Sequence, residues 1–234
     1  MEPRDRLIFA LDVPTPHEAI SLVDRLAGHV GCFKIGLELF VAAGPDLVRA
    51  VTGRAPVFLD LKLHDIPATV GRAASVAAQL GVTYVTAHVD EGGRALSAAV
   101  QAAPRVGVLG VTVLTSIAEE DLRDVGYAAG LQELVRRRAL QARASGCRGV
   151  VCSGQEAARV RPLLGDELLI VTPGVRPADG EAGDQRRVVT PGGALRAGAD
   201  LIVVGRPIRD AADPVAAADA IVDELRATAD LNDV

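Results

Sequence analysis

Apolar residues along this chain come in short unbroken runs. Each run is followed by a stretch in which they recur every three or four positions. Leu7-Ile8-Phe9-Ala10-Leu11-Asp12 is the first run and reads as a buried strand ending in an acid. Asp12-Val13-Pro14-Thr15-Pro16 is a turn, and beyond it Ala19, Ile20, Leu22, Val23 and Leu26 carry the spacing of one helix face. The alternation then repeats. Further strands are predicted at 32–36, from 57, and at 83–89, 106–114, 149–152, 168–172 and 201–204. The intervening helices are predicted at about 38–51 (interrupted near Gly44-Pro45), 66–80, from Gly92-Gly93 through Ala103, a short start at 118–122, then 131–145, 155–164, 191–197 and 214–227. A long loop runs from Pro173 to Val189.

The strands are nearly continuous in hydrophobic residues, as parallel strands covered on both faces are. Eight of them, each followed by a helical segment, favour a closed (β/α)8 TIM barrel over an open doubly wound sheet. The first turn has no GxGxxG fingerprint, which weakens a dinucleotide-binding reading. No linker or low-complexity run divides the 234 residues, so one catalytic domain over 1–234 is expected.

Composition narrows the function classes. Hydrophobic residues make up 49%, yet no apolar run reaches the roughly 18 residues of a membrane span. The first six residues lead into a strand without the shape of a signal peptide. A net charge of −5 argues against nucleic acid or an anionic membrane as partner. Cys32, Cys147 and Cys152 form no CxxC or metal pattern and read as buried thiols in a reducing, cytoplasmic setting. The Arg136-Arg137-Arg138 run reads as a solvated helix face.

One stretch breaks the apolar pattern in an informative way. Phe58-Leu59-Asp60-Leu61-Lys62-Leu63-His64-Asp65-Ile66-Pro67-Ala68-Thr69 sets Asp60 and Lys62 two apart, on one face of a regular strand, with Asp65 just beyond. A bland reading stays open here, with Asp65 capping the next helix and Asp60–Lys62 forming an edge ion pair. Lysine usage favours chemistry. Of 25 basic residues only Lys34 and Lys62 are lysine, and both lie in apolar strands. Arginine holds its proton near neutral pH, whereas lysine can release it.

In a (β/α)8 barrel, strand carboxyl ends meet at one mouth. Asp12, Lys34, Asp60 with Lys62, His88, Thr115 and Gly205-Arg206 are all placed there. His88 reads either as a core histidine or as a ligand contact. The loops after strands seven and eight, Thr172-Pro173-Gly174-Val175-Arg176-Pro177 and Gly205-Arg206-Pro207, suit a phosphate, with Gln185 on a loop able to close over it. Arg176 and Arg206 also have a surface-solvation reading. There is no HExxH, no histidine pair of metal spacing and no Walker-type lysine loop, so no cofactor or metal is called for.

Taken together these motifs resemble the orotidine 5′-monophosphate decarboxylase family (type 1), over nearly the whole chain. The resemblance rests on Ala10-Leu11-Asp12, Phe33-Lys34-Ile35-Gly36, Asp60-x-Lys62-x-x-Asp65-Ile66-Pro67-x-Thr69 and Val111-Thr112-Val113-Leu114-Thr115-Ser116. It continues through Val151-Cys152-Ser153, the Arg176 loop, Gly183-Asp184-Gln185-Arg186-Arg187 and Val204-Gly205-Arg206-Pro207. The Asp-x-Lys-x-x-Asp core alone also occurs in sugar-phosphate relatives.

The resemblance implies cofactor-independent conversion of orotidine 5′-monophosphate to UMP and CO2 in pyrimidine biosynthesis. Asp12 and Lys34 would hold ribose hydroxyls, Asp60 would lie beside the departing carboxylate, and Lys62 would protonate C6. Asp65, Ile66, Pro67 and Thr69 would belong to a site shared across a homodimer, with Asp65 and Thr69 reaching into the neighbouring subunit's site. Thr115 and Ser116 would contact the pyrimidine, Gln185 would bridge base and phosphate, and Arg176, Gly205 and Arg206 would hold the phosphate. Two alternatives stay open: a metal-dependent sugar-phosphate lyase or decarboxylase on the same barrel, and a catalytically silent phosphate-ligand-binding barrel.

Overall fold

The computed structural model describes residues 1–89, 92–177 and 189–232. Eight parallel strands close into a barrel in sequence order: β1 (Leu7–Ala10), β2 (Cys32–Gly36), β3 (Val57–Leu63), β4 (Tyr84–His88), β5 (Gly107–Val111), β6 (Gly149–Val151), β7 (Leu169–Thr172) and β8 (Leu201–Val204). The closing pair is β1 with β8, in the register Leu7↔Ile202 to Phe9↔Val204. A closed barrel leaves no edge strand, so every strand is paired on both sides.

The helices cover the outside: α1 (Pro16–Leu26), α2 (Leu37–Thr52), α3 (Pro67–Gln79), α4 (Arg94–Ala102), α5 (Glu119–Asp124), α6 (Leu131–Ala144), α7 (Gly154–Leu164), α8 (Pro191–Arg196), α9 (Arg206–Arg209) and α10 (Pro214–Asn232). Their starts follow local chemistry. Pro16 opens α1, where Thr15 Oγ1 accepts from the Glu18 amide at 3.3 Å. The expected break in α2 is a kink at Gly44, whose φ of 65° and ψ of −163° are open to glycine, followed by Pro45, which has no amide to donate.

Strand periodicity divides the core in two. Leu7, Phe9, Phe33, Ile35, Val57, Leu59, Val85, Val108 and Val150 face the helices and join the large outer cluster. Ile8, Ala10, Cys32, Phe58, Leu109, Leu169, Val171, Leu201 and Val203 fill the barrel itself, with Tyr84 and Val151 against them. Phe9 meets Phe33 edge-to-face in the outer layer at 6.2 Å, and Phe58 meets Tyr84 likewise inside at 6.3 Å. All three cysteines are free and buried, and burial pushes the Cys32 and Cys147 thiols up to about 12.

Several boundaries depart from the sequence reading, β1 ending at Ala10 rather than Asp12 and the short α9 being unforeseen. A 3-10 turn at Pro3–Arg6 precedes β1 where the chain was expected to run straight into the strand. Strand β5 stops at Val111 rather than Leu114, and beyond it the Thr112 amide and hydroxyl both donate to the Val151 carbonyl of β6, at 3.1 and 3.0 Å. The last helix continues past residue 227 to Asn232. Among the described residues no helix is long and apolar enough to cross a membrane.

Candidate active site

The barrel's inner layer sets the site above it. Two positions beyond Ala10, Cys32, Phe58 and Tyr84, on the same strand face, stand Asp12, Lys34, Asp60 and Thr86. Lys34 Nζ donates to Asp12 Oδ1 at 3.0 Å and lies 3.9 Å from Asp60 Oδ2. Lys62 Nζ donates to the same Asp60 oxygen at 2.8 Å. The Lys34 and Asp60 side chains are only 12% and 13% exposed, so solvent screens that pair little. Gly36 keeps room for it, since a Cβ there would come within 3.1 Å of Lys34 Nζ.

Asp60 and Lys62 do not meet through regular alternation. Between Leu59 and Leu63 strand β3 advances four residues while β4 advances two, from Val85 to Ala87. Lys62 lies in this irregularity with φ 52°, the one non-glycine residue of positive φ among those described. Such a backbone is strained for a side chain bearing a Cβ, and strain of this kind gathers at functional sites. The ion pair is therefore made by a bulge inside a closed barrel mouth rather than at a sheet edge.

A cavity of about 330 Å³ opens over the array, within the size range of small-molecule sites. Asp12, Lys34, Asp60, Lys62, Thr115, Arg176, Gly205, Arg206 and Arg209 line it, with the apolar Val111, Val113, Val151 and Val203. Five cationic side chains thus face two carboxylates in a chain whose net charge is −5. The cavity carries an excess of positive charge, opposite in sign to the whole molecule. Its arginines come from the loop after β7 and from α9 just beyond β8, the two regions where the sequence reading expects a phosphate. Arg176 is 7% exposed, which sets aside its solvated reading.

Other expected site residues lie apart from this cavity. Asp65 and Ile66 are exposed just before α3, and Ile66 is 66% exposed. Asp65 is not the N-cap of α3, which is Ile66. Its Oδ1 accepts from the Ile66 amide at 2.6 Å. Pro67 and Thr69 follow in the first turn, half-buried, and Ser116 is exposed. Within one chain none of these five lines the cavity. Gln185 lies outside the described residues. His88 also stays off the cavity wall, its ring 5.3 Å from that of His64. Burial lowers its pKa, and His64, Arg138 and Lys62 lower it further, against an opposing pull from Asp60.

Three residues escaped the sequence reading. Arg209 donates to the Asp12 carbonyl at 2.7 Å; its place three residues after Arg206 was the available signal. Arg138 is not part of a solvated run. It leaves Arg136 and Arg137 to pair with Glu133 on the surface, and itself reaches the Thr112 carbonyl at 2.7 Å. Thr86 is wholly buried and bonds both Asp60 and the Lys62 backbone. Its signal was a hydroxyl on the inner face of an apolar strand.

Known proteins are similar to this chain in sequence and fold. Residues 5–221 match the model of the family described as orotidine 5′-phosphate decarboxylase / HUMPS. The chain is 50% identical over 227 residues to an orotidine 5′-phosphate decarboxylase of Rhodopseudomonas palustris, covering 96% of this chain and 95% of that one. It is 51% identical over 231 residues to one of Methylobacterium nodulans, covering 96% and 97%. The crystal structure of the Lactobacillus acidophilus orotidine 5′-phosphate decarboxylase superposes with a TM-score of 0.84 at 36% identity, over 94% of this chain and 98% of that one. With the family model spanning most of the barrel and half the residues identical in these relatives, the chain belongs to the orotidine 5′-phosphate decarboxylase / HUMPS family.

Proposed function

We infer that this chain removes CO2 from orotidine 5′-monophosphate to give UMP, with Lys62 as the proton donor to C6. Family membership supports the reaction. The observation that carries the residue roles is the Lys34–Asp60–Lys62 array at the floor of a cation-rich cavity. The substrate brings two anionic groups, a phosphate and a carboxylate. Arg176, Arg206 and Gly205 suit the phosphate, because guanidinium forks match its oxygens and a glycine lets backbone approach. Asp12 and Lys34 suit the ribose hydroxyls, and Thr115 the pyrimidine edge.

In the chemical step the C6–carboxylate bond breaks and its electron pair stays on C6. The Lys62 ammonium delivers a proton there as CO2 leaves, and the resulting amine regains a proton from solvent. Charge on C6 develops only in the transition state, so a fixed ammonium beside it raises the rate rather than merely tightening binding. Asp60 orients that ammonium through its 2.8 Å bond. The shared-site part of this reading is a homodimer in which Asp65 and Thr69 reach into the neighbouring subunit's site, with Ile66 and Pro67 beside them, while Ser116 joins Thr115 at the pyrimidine and Gln185 bridges base and phosphate. The solvent-facing Asp65 and the two-thirds-exposed Ile66 beside it support a neighbour at that rim.

The test follows the loss of orotidine 5′-monophosphate absorbance with purified protein, no added metal and excess chelator. Turnover to UMP is expected. No turnover with or without chelator would overturn the reading, and turnover seen without chelator but lost with it would favour a metal-dependent lyase or decarboxylase on the same barrel.

A further inference from the structure

We propose that Thr86 is a positioning residue for the proton donor; this rests on Lys62 and Asp60 having the roles inferred above. Thr86 stands on β4, is 0% exposed and does not line the cavity, so it does not bind substrate. Its hydroxyl has one proton to give and spare lone pairs to accept with. It donates to Asp60 Oδ1 at 2.9 Å and accepts from the Lys62 amide at 2.9 Å.

Both bonds answer a need created by the bulge. Where β3 gains two residues on β4, the ladder skips from Leu59↔Val85 to Leu63↔Ala87. The Lys62 amide accordingly bonds to a side chain of β4, the Thr86 hydroxyl, and a buried amide without a partner is costly. The left-handed Lys62 backbone, at φ 52°, persists only where its surroundings hold it. The same hydroxyl takes up Oδ1 of Asp60, which leaves Oδ2 turned to Lys62 Nζ at 2.8 Å and Lys34 Nζ at 3.9 Å. One buried hydroxyl thus fixes the main chain that carries the donor and the carboxylate that aims it.

The experiment compares Thr86→Val, close in shape but without the hydroxyl, with Thr86→Ser, which restores it. Thr86→Val is expected to lower kcat by about tenfold or more while KM moves less than about threefold, because an interaction expressed in the transition state is lost and ground-state contacts remain. Thr86→Ser is expected within about threefold of wild type in both constants. A crystal structure of Thr86→Val should show Lys62 leaving positive φ or its Nζ parting from Asp60. If Thr86→Val does not fold, Thr86→Cys gives the same comparison, since a thiol donates and accepts weakly. A merely structural role predicts a lower melting temperature with kcat unchanged below it, and that result overturns the proposal. So does an unmoved Lys62 in the variant structure. Wild-type turnover is measured alongside, so failure of the decarboxylase reading appears in the wild type and failure of this inference only in the variants.

Discussion

Asp60→Asn should destabilise the ligand-free protein far more than Asp12→Asn, although both carboxylates touch Lys34. The geometry alone does not separate them. Asp12 Oδ1 is 3.0 Å from Lys34 Nζ, nearer than the 3.9 Å from Asp60 Oδ2. Surroundings do separate them, because the Asp12 side chain is 51% exposed and that of Asp60 13%. Asp60 also holds Lys62 at 2.8 Å. At an effective dielectric constant of about 20, its gross attractions to Lys62 and Lys34 are about 6 and about 4 kcal/mol. Lys62 is 30% exposed and can turn to solvent, so the net loss is smaller. Stripping one partner from a buried ion pair costs about 3–5 kcal/mol. For a chain of this length that lowers Tm by roughly 6–20 °C. For Asp12→Asn, solvent screening holds the loss to about 1 kcal/mol or less, or roughly 4 °C at most. The assay is thermal unfolding of both variants and wild type by calorimetry at neutral pH and low salt, without ligand. An Asp60→Asn melt within about 2 °C of wild type, or equal losses for the two variants, would refute the assignment of burial as the deciding factor.

Further expectations concern activity and pH. Lys62→Arg keeps the charge but not a donor that can release its proton; kcat should fall by more than about tenfold with the fold intact by circular dichroism, and a smaller loss would end the proton-donor role. Arg206→Ala should weaken phosphate-bearing ligands by about 2–5 kcal/mol and leave the dephosphorylated nucleoside nearly unaffected; calorimetric titration showing equal losses would make Arg206 structural. Inactive Lys62→Ala and Asp65→Asn chains, mixed and allowed to exchange, should regain activity at roughly a quarter of all sites, since about half the dimers are mixed and each has one intact site. Mixed dimers confirmed by mass spectrometry yet inactive would place Asp65 in its own chain's site. His88 has a pKa lowered from 6.5. The unfolded chain therefore binds the extra proton first, and stability present above 6.5 is lost as pH falls toward the folded value. His88→Gln should flatten that loss in denaturant titrations between about pH 7 and about pH 5, and an unchanged slope would assign it to other groups.

The barrel was legible because burial leaves a one-dimensional trace. Strands covered on both faces must be apolar at nearly every position, as Leu201–Val204 and Leu7–Ala10 are, and their helices must be apolar on one side. Lys34 and Asp60 stood out against that background because charges at inward positions of such strands need partners. The scarcity of lysine singled out Lys34 and Lys62 from composition alone. Tertiary structure decided what depends on neighbours distant in sequence. Alternation put Asp60 and Lys62 on one face, but the contact is made by a register slip against β4 that leaves Lys62 left-handed, and no local pattern encodes a slip between two strands. Thr86 is an ordinary strand threonine until the slip brings the Lys62 amide and Asp60 to its hydroxyl. Arg138 looked like the end of a solvated run until the α6 packing gave it the Thr112 carbonyl. Periodicity records which side of an element is dry; which groups meet there is set by how whole elements register in space.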